Sequence, residues 1–231
     1  MSLTLALSKG RLLAGAQALF RRAGLPFPQD EGRRLVVTLD GVRFLFVKDA
    51  DVPTYVEYGT ADCGIAGRDV LLESGSDVYE PLDLGFGQCR MVVAGLSGGS
   101  RRESIPALGP QGLTPLSGCA PEPPSAADYR RSSTVRVASK YPRVAAAHFR
   151  ARGLSAEVVR LAGSVELAPA LGLADCIVDV VETGRTLSEN GLRVLEEVAA
   201  CSARLVVNPA SFHARRADLA GLIEQLRQAR A

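Results

Sequence analysis

The sequence predicts an α/β protein of two lobes with mostly parallel sheets. Three observations carry this. A strand running into Ser-Lys and then a helix occurs twice, at residues 3–9 and 135–140. The string Gly-x-Ala-Asp-Cys occurs twice, at residues 59–63 and 172–176, each time before an apolar run. Finally, Cys176–Val181 is apolar apart from Asp179, as in a strand covered on both faces. Order and spacing both repeat, so the chain reads as two β-α-β-α-β units in tandem.

The elements follow in order. Residues 3–7 form a strand, and Leu12, Leu13, Ala16, Leu19 and Phe20 mark one face of the helix after it. Residues 44–47 form a second strand, after which Asp51 is placed to cap a short helix. The first Gly-x-Ala-Asp-Cys leads into the strand that ends at Ile65, and residues 82–95 read as a connecting segment. Residues 97–133 are rich in Gly, Pro and Ser without periodicity, which predicts a long, partly disordered surface insertion. In the second half Pro142 suits a first helical turn, Gly153 its end, and Ser164 the cap of a short helix. Leu187, Leu192, Leu195 and Val198 suggest a helix over 187–200. A strand at 204–207 and a helix over 212–230 follow, with Leu219, Leu222, Ile223 and Leu226 on one face. The resulting division gives lobe one residues 1–92 and 187–231, and lobe two residues 93–186 with the insertion at 97–133.

Composition narrows the function. The chain has 231 residues, 47% hydrophobic and 23% charged, with a net charge of +2. That is ordinary for a soluble globular protein, and it calls for neither nucleic acid nor an anionic membrane as partner. The five cysteines (Cys63, Cys89, Cys119, Cys176 and Cys201) are scattered and contain no C-x-x-C. Reduced thiols in a cytosol fit that pattern better than a zinc site or a disulfide framework. The apolar start is short and meets Lys9, unlike a signal peptide, and no apolar run approaches the ~20 residues of a membrane span. The expected location is cytoplasmic.

The chemistry concentrates at residues 182–186, where the Cys176–Val181 strand meets a polar turn. Such a junction aims backbone N–H groups at one point. Gly184 admits close approach, Thr183 and Thr186 bring hydroxyls, and Arg185 brings a permanent cation. This is the chemistry of a phosphate cradle. Asp179 and Glu182 beside it suit sugar hydroxyls or a magnesium ion carried by the ligand. Together they point to a phosphoribosyl compound. Both Ser-Lys pairs also fall at carboxyl ends of strands, where open α/β sheets take their ligands, so all three segments are expected to face one cleft.

Several segments resemble the ATP phosphoribosyltransferase family, in its short form. They are residues 6–12 (Ala-Leu-Ser-Lys-Gly-Arg-Leu), 55–62 (Tyr-Val-Glu-Tyr-Gly-Thr-Ala-Asp), 67–73, 83–90, 137–142, 163–166 and 179–191. The resemblance covers nearly all of the chain except 97–133, which is longer than the family usually has there; Pro209 also departs from the basic or polar residue expected. It implies two lobes like type II periplasmic binding proteins. It implies transfer of phosphoribose from phosphoribosyl pyrophosphate (PRPP) to N1 of the adenine of ATP, with Mg²⁺ carried by the substrates and no direct protein metal site. The implied partners are a regulatory subunit resembling histidyl-tRNA synthetase, in a hetero-octamer, and a second catalytic chain in a homodimeric core.

The resemblance and the reaction together assign roles. Asp179, Glu182, Thr183, Gly184, Arg185 and Thr186 are expected to bind PRPP. Lys9, Arg11 and Lys140 are expected to stabilise the pyrophosphate or triphosphate. Gly10, Arg68, Asp69, Arg90, Ser139, Tyr141, Ser164 and Glu166 are expected on the ATP side and along the cleft. No base is required, because N1 of adenine already carries a lone pair, and His148 and His213 are read as non-catalytic. Two other readings compete: a non-enzymatic binding module, and a transferase acting on a free base. The two valines between Asp179 and Glu182 argue against the second, since such enzymes generally pair adjacent acids there.

Overall fold

The computed structural model describes residues 3–29, 32–96 and 134–230; the insertion expected at 97–133 lies outside the described residues. The chain separates into two compact units, Met1–Cys89 with Cys201–Ala231, and Arg90–Ala200. In the first unit, β1 (Thr4–Ser8), α1 (Leu13–Arg22), β2 (Val36–Leu39) and β3 (Val42–Val47) come first. A 3₁₀ turn at Asp49–Asp51, α2 (Val52–Glu57), β4 (Cys63–Gly67), α3 (Arg68–Ser74) and β5 (Tyr79–Asp83) follow. The second unit holds β6 (Cys89–Leu96), β7 (Val135–Ser139), α4 (Pro142–Ala151), β8 (Ala156–Arg160), α5 (Leu167–Ala170), β9 (Cys176–Val181), α6 (Arg185–Glu189) and β10 (Leu192–Cys201). The chain then completes the first unit with β11 (Ala203–Val207), α7 (Pro209–Ala214) and α8 (Arg216–Ala229).

The first sheet has the order β2-β3-β1-β4-β11-β5 and the second β10-β6-β9-β7-β8. Both are mixed sheets built on a parallel centre. The parallel part of each is three strands, β3-β1-β4 and β8-β7-β9. Antiparallel neighbours flank it: β2, β11 and β5 in the first sheet and β6 in the second. The β2–β3 hairpin turns at Asp40-Gly41, both at positive φ (47° and 78°). That is the two-residue turn whose twist matches a hairpin, and Asp-Gly is its usual sequence.

The repeat has a structural cause. In the first unit Asp62 Oδ2 accepts the Thr4 N–H at 2.8 Å, and the Asp62 N–H donates to the Thr4 carbonyl at 2.8 Å. In the second, Asp175 Oδ2 accepts the Arg136 N–H at 2.8 Å, and the Asp175 N–H donates to the Arg136 carbonyl at 2.8 Å. Each aspartate therefore fixes the register of the central parallel pair, Leu5 opposite Cys63 and Val137 opposite Cys176. From that register Ser8-Lys9 lies one residue further along its strand than Ser139-Lys140 does.

Several expectations need correction. The helix expected over 187–200 stops with α6, because Gly191 takes a left-handed conformation (φ 70°) that ends it. The following ten residues form β10, which hydrogen-bonds to β6. Residues 187–200 consequently belong to the second unit and not to lobe one. The connecting segment expected at 82–95 contains β6, whose apolar Met91-Val92-Val93-Ala94 is buried against β9. The terminal helix is two helices, broken at Arg215 (φ −127°, ψ 38°), which reaches back to Asp62 at 3.0 Å. Asp51 and Ser164 cap nothing through their side chains: Asp51 sits in the 3₁₀ turn with helical backbone angles, and Ser164 is left-handed (φ 49°). Neither has the extended backbone a side-chain cap requires. Pro142 opens α4 and Gly153 follows it at φ 72°, as read. Pro209 occupies the first turn of α7, where Asn208 Oδ1 accepts the Ser211 N–H at 2.8 Å.

Each unit has its own core. In the first, α1 and α8 cover one face of the sheet, and Leu219, Ile223 and Leu226 pack with Leu5, Leu7, Leu19 and Phe44. Phe20, Phe27 and Phe44 meet edge to face at centroid distances of 5.4–6.5 Å. In the second, Val92, Ala138, Ile177, Val181 and Leu187 cluster. There His148 on α4 donates Nε2–H to Glu196 on β10 (3.1 Å) while its Nδ1 accepts from Arg152 (3.2 Å), and Arg152 also pairs with Glu196.

Burial, reinforced by the Arg152 cation, pulls the His148 imidazole down to about 4. The folded protein thus binds fewer protons than the unfolded chain between that value and the ordinary ~6.5. Stability should fall as the pH drops through this window, by at most about 1.4 kcal/mol per pH unit. Denaturant midpoints between pH 4 and 7 read this; His148→Gln should flatten the slope, and an unchanged slope would rule the assignment out.

Candidate functional site

The second unit presents the loop between β9 and α6. Val181 and Leu187 are buried at its two ends, and Glu182, Thr183, Arg185 and Thr186 between them are exposed. Gly184 is at φ 81°, a conformation that glycine adopts without strain. A side chain there would have room, with its Cβ 3.8 Å from Val181, so backbone conformation and not space demands glycine. The Arg185 N–H points at Thr183 Oγ1 (3.4 Å), and the Arg185 guanidinium pairs with Glu189 at 2.7 Å on the same helix. Because α6 is only five residues long, its dipole is small; the first-turn N–H groups, which no helical carbonyl can satisfy, are its stronger asset. Asp179 is half-buried, with Oδ1 accepting the Val180 N–H at 2.8 Å.

Of the Ser-Lys-Tyr segment in this unit, only Lys140 is exposed. Ser139 is fully buried and Tyr141 is 4% exposed. Ser139 Oγ donates to the Val178 carbonyl (2.6 Å) and accepts the Tyr141 N–H (2.8 Å), tying the end of β7 to β9. Both of these side chains thus point inward here: Ser139 positions the strand end, and Lys140, 5.9 Å from the Tyr141 ring, is what the segment presents. Ser164 is exposed, and Glu166 is half-buried at the start of α5. Arg90 is half-exposed and pairs with Glu197 at 3.3 Å, joining β6 to β10.

The first unit presents the carboxyl ends of β1 and β4. Ser8, Gly10, Arg11, Gly67 and Asp69 line a small cavity of about 40 Å³ there. Asp69 is 3% exposed, and its Oδ1 lies 3.7 Å from Arg11 Nη2. Arg11 Nη1 also donates to the Gly87 carbonyl at 3.1 Å. Gly10, Arg11 and Asp69 are thus brought together. Arg68 is exposed beside them, with its N–H held by the Ser202 carbonyl at 3.0 Å. Lys9 is exposed but turned toward the Gly32 carbonyl (2.7 Å), its ammonium 5.3 Å from the Phe46 ring.

Two features were missed in the sequence. Gly67 is needed for space: a Cβ there would sit 2.2 Å from Asp69 Oδ1 and 3.6 Å from Arg11. The thiols of Cys89 and Cys201, far apart in sequence, meet here, and no spacing signal announces them. A hydrogen bond from Cys201, against the opposing effect of burial and with Arg11 beside it, pulls Cys89 down to about 7.

Among the described residues no three His, Cys, Asp or Glu side chains are grouped to hold a metal. The carboxylates of Asp179 and Glu182 are oxygen donors of the kind Mg²⁺ accepts alongside phosphates. Among the described residues no helix is long and apolar enough to cross a membrane.

Two α/β units, each offering polar loops at the carboxyl ends of its central strands, place the chain in a two-unit α/β fold class. Its backbone resembles the alkanesulfonate-binding protein SsuA from Xanthomonas axonopodis pv. citri (TM-score 0.52, 14% identity, covering 99% of this chain and 72% of that one), a likeness of fold alone. The chain belongs to the ATP phosphoribosyltransferase family, whose model matches residues 48–228. It is 46% identical over 233 residues to the ATP phosphoribosyltransferase of Sorangium cellulosum, covering 99% of this chain and 96% of that protein. It also matches a chain of the ATP phosphoribosyl transferase (HisG:HisZ) complex from Thermotoga maritima, with a TM-score of 0.78 and 32% identity over 99% of this chain and 98% of that one.

Gly67→Ala should force the Asp69 carboxylate out of its seat and cost about 1–3 kcal/mol. In an Asp69→Ala background the obstructing oxygen is gone, and the same substitution should cost far less. A double-mutant cycle on denaturant midpoints measures the difference; simple additivity would show that Gly67 does not make room for Asp69.

Proposed function

We propose that this chain transfers the 5-phosphoribosyl group from PRPP to N1 of the adenine of ATP, giving phosphoribosyl-ATP and pyrophosphate, the first step of histidine biosynthesis. The observation that carries the reading is end-to-end similarity to ATP phosphoribosyltransferases combined with an exposed Thr-Gly loop between β9 and α6. In this reaction the C1–pyrophosphate bond of the ribose breaks as the N1 lone pair forms the new bond, and positive charge builds on the sugar. Positioning and electrostatics therefore dominate over proton transfer.

The β9–α6 loop holds the 5′-phosphate through the N–H groups around Gly184 and the hydroxyls of Thr183 and Thr186. Arg185 contributes its cation, and Asp179 and Glu182 take the ribose hydroxyls. Arg11, seated by Asp69 and Gly87, carries a fixed positive charge for the triphosphate or pyrophosphate, with Gly10 giving close backbone access. Lys9 and Lys140 are each assigned to substrate phosphates, which they meet by swinging off their present contacts. Arg68, Arg90, Ser164 and Glu166 border the nucleotide. Mg²⁺ arrives with the substrates and neutralises phosphate charge. By this assignment the PRPP site lies in the unit of residues 90–200 and the chain works in the cytoplasm. Its partners are a second catalytic chain and a regulatory subunit resembling histidyl-tRNA synthetase, in a hetero-octamer. The relative solved as a two-component complex supports the regulatory partner.

Mg²⁺-PRPP and ATP, each at ~100 times its dissociation constant, should each stabilise the protein by about 2.7 kcal/mol, a readable thermal shift. Product analysis with ATP and with free adenine then separates this reaction from transfer to a free base. The combined Thr183→Ala and Gly184→Val change should leave the circular dichroism spectrum intact, since the loop is exposed. It should weaken PRPP at least tenfold, about 1.4 kcal/mol. Unchanged PRPP affinity in the folded double variant would falsify the loop assignment.

A further inference from the structure

We propose that Cys89 and Cys201 form a reversible intramolecular disulfide when the protein meets a peroxide. The two residues sit where the chain passes between its units: Cys89 opens β6 on the way out, and Cys201 closes β10 on the way back. Those strands are hydrogen-bonded neighbours. Gly95, six residues on from Cys89, faces Leu195, six residues before Cys201. Just beyond the two cysteines the Ala203 N–H donates to the Phe86 carbonyl at 2.9 Å, which holds the outgoing and returning segments side by side. Neighbouring strands lie ~4.7–4.9 Å apart, within the ~4.4–6.8 Å between Cα atoms that a disulfide spans. The thiols already share a hydrogen bond.

The surroundings divide the labour between the sulfurs. Cys89 faces Cys201, Arg11 and Asp69, and the net effect holds its thiol at about 7, so a large share is thiolate at neutral pH. Cys201 faces Cys89, Asp69 and Arg68; the bond to Cys89 and burial push its thiol up and keep it protonated. Burial pushes the Cys63 thiol up as well, and holds Cys176 up at about 12, so both are poor nucleophiles. Cys89 and Cys201 are only 5% and 4% exposed, which admits a small oxidant and excludes a bulky one. The Cys89 thiolate attacks one oxygen of hydrogen peroxide, the O–O bond breaks, and a sulfenic acid forms with loss of hydroxide. The Cys201 sulfur then attacks the sulfenic sulfur; its proton and the hydroxyl leave as water, and the S–S bond forms. Two thiols lose two electrons in all, and one peroxide becomes two waters. The inference stands independently of the proposed reaction.

The test uses the full chain, reduced and then exposed to hydrogen peroxide without any substrate. Intact mass should fall by about 2 Da, for two hydrogens lost. A peptide map should show residues 89 and 201 joined, and dithiothreitol should restore both thiols. Formation should speed up about tenfold from pH 6 to pH 8, as the Cys89 thiolate fraction rises through its midpoint. Cys201→Ser should stop the reaction at a Cys89 sulfenic acid, trapped by dimedone. Should that variant not fold, the wild-type map and its reversal decide alone. Oxygen addition at Cys89 with no linked peptide, a link to another cysteine, or Cys89 reacting no faster than Cys63 would each overturn the proposal.

Discussion

A carboxylate at the head of a central strand, buried at Asp62 and half-buried at Asp175, organises each unit. Asp62 and Asp175 each accept an N–H near the start of the parallel neighbour, from Thr4 and Arg136, and return their own N–H to the same residue's carbonyl. Parallel strands have no hairpin to set their register, so a side chain that pins one end does that job. In the first unit the same carboxylate also holds Ser211 at 2.8 Å and Arg215 at 3.0 Å, binding the last part of the chain to the first strand. Asn208 adds bonds from its side chain to the Val56 and Glu57 carbonyls. With the register fixed at one end, the other end of each central strand, where the polar loops emerge, is fixed in height as well.

The loops gain their geometry from apolar anchors rather than from polar contacts. Val181 and Leu187 sink into the second core and leave five residues between them at the surface. Ser139 spends both of its hydrogen-bonding capacities inside, which leaves the neighbouring Lys140 projecting. Arg11 differs from the two lysines: a carbonyl and a carboxylate hold its planar fork before any ligand arrives. A guanidinium so held loses less conformational freedom on binding a phosphate than a lysine that must first leave a partner.

What the sequence disclosed and what it hid have physical reasons. The duplicated Gly-x-Ala-Asp-Cys was legible because the aspartate has the same task in both units. The Thr-Gly loop was legible because strand, glycine and helix start are all local. The helix expected at 187–200 failed because leucines spaced for a helix also suit a half-buried strand, and the Asn190-Gly191 stop was passed over. The hairpin at Asp40-Gly41 has its signal in the two-residue turn itself. β6 reads as a connection because a short apolar run has no period of its own. The burial of Ser139 and the meeting of Cys89 with Cys201 depend on contacts across many residues, and no local pattern carries those.

The insertion of β11 between β4 and β5 bears on how the chain comes together. Residues 90–200 form a continuous stretch whose described strands all pair within it, so that unit can close as soon as it has been synthesised. The first unit cannot. Until residues 203–207 arrive, β4 and β5 lack the strand that joins them, and Leu5, Leu19 and Phe44 lack the cover of α8. The N-terminal segment, made first, is therefore completed last, and its unpaired strand edges stay open while more than a hundred residues pass the ribosome. The time between those two events is when this chain is most exposed to misassembly.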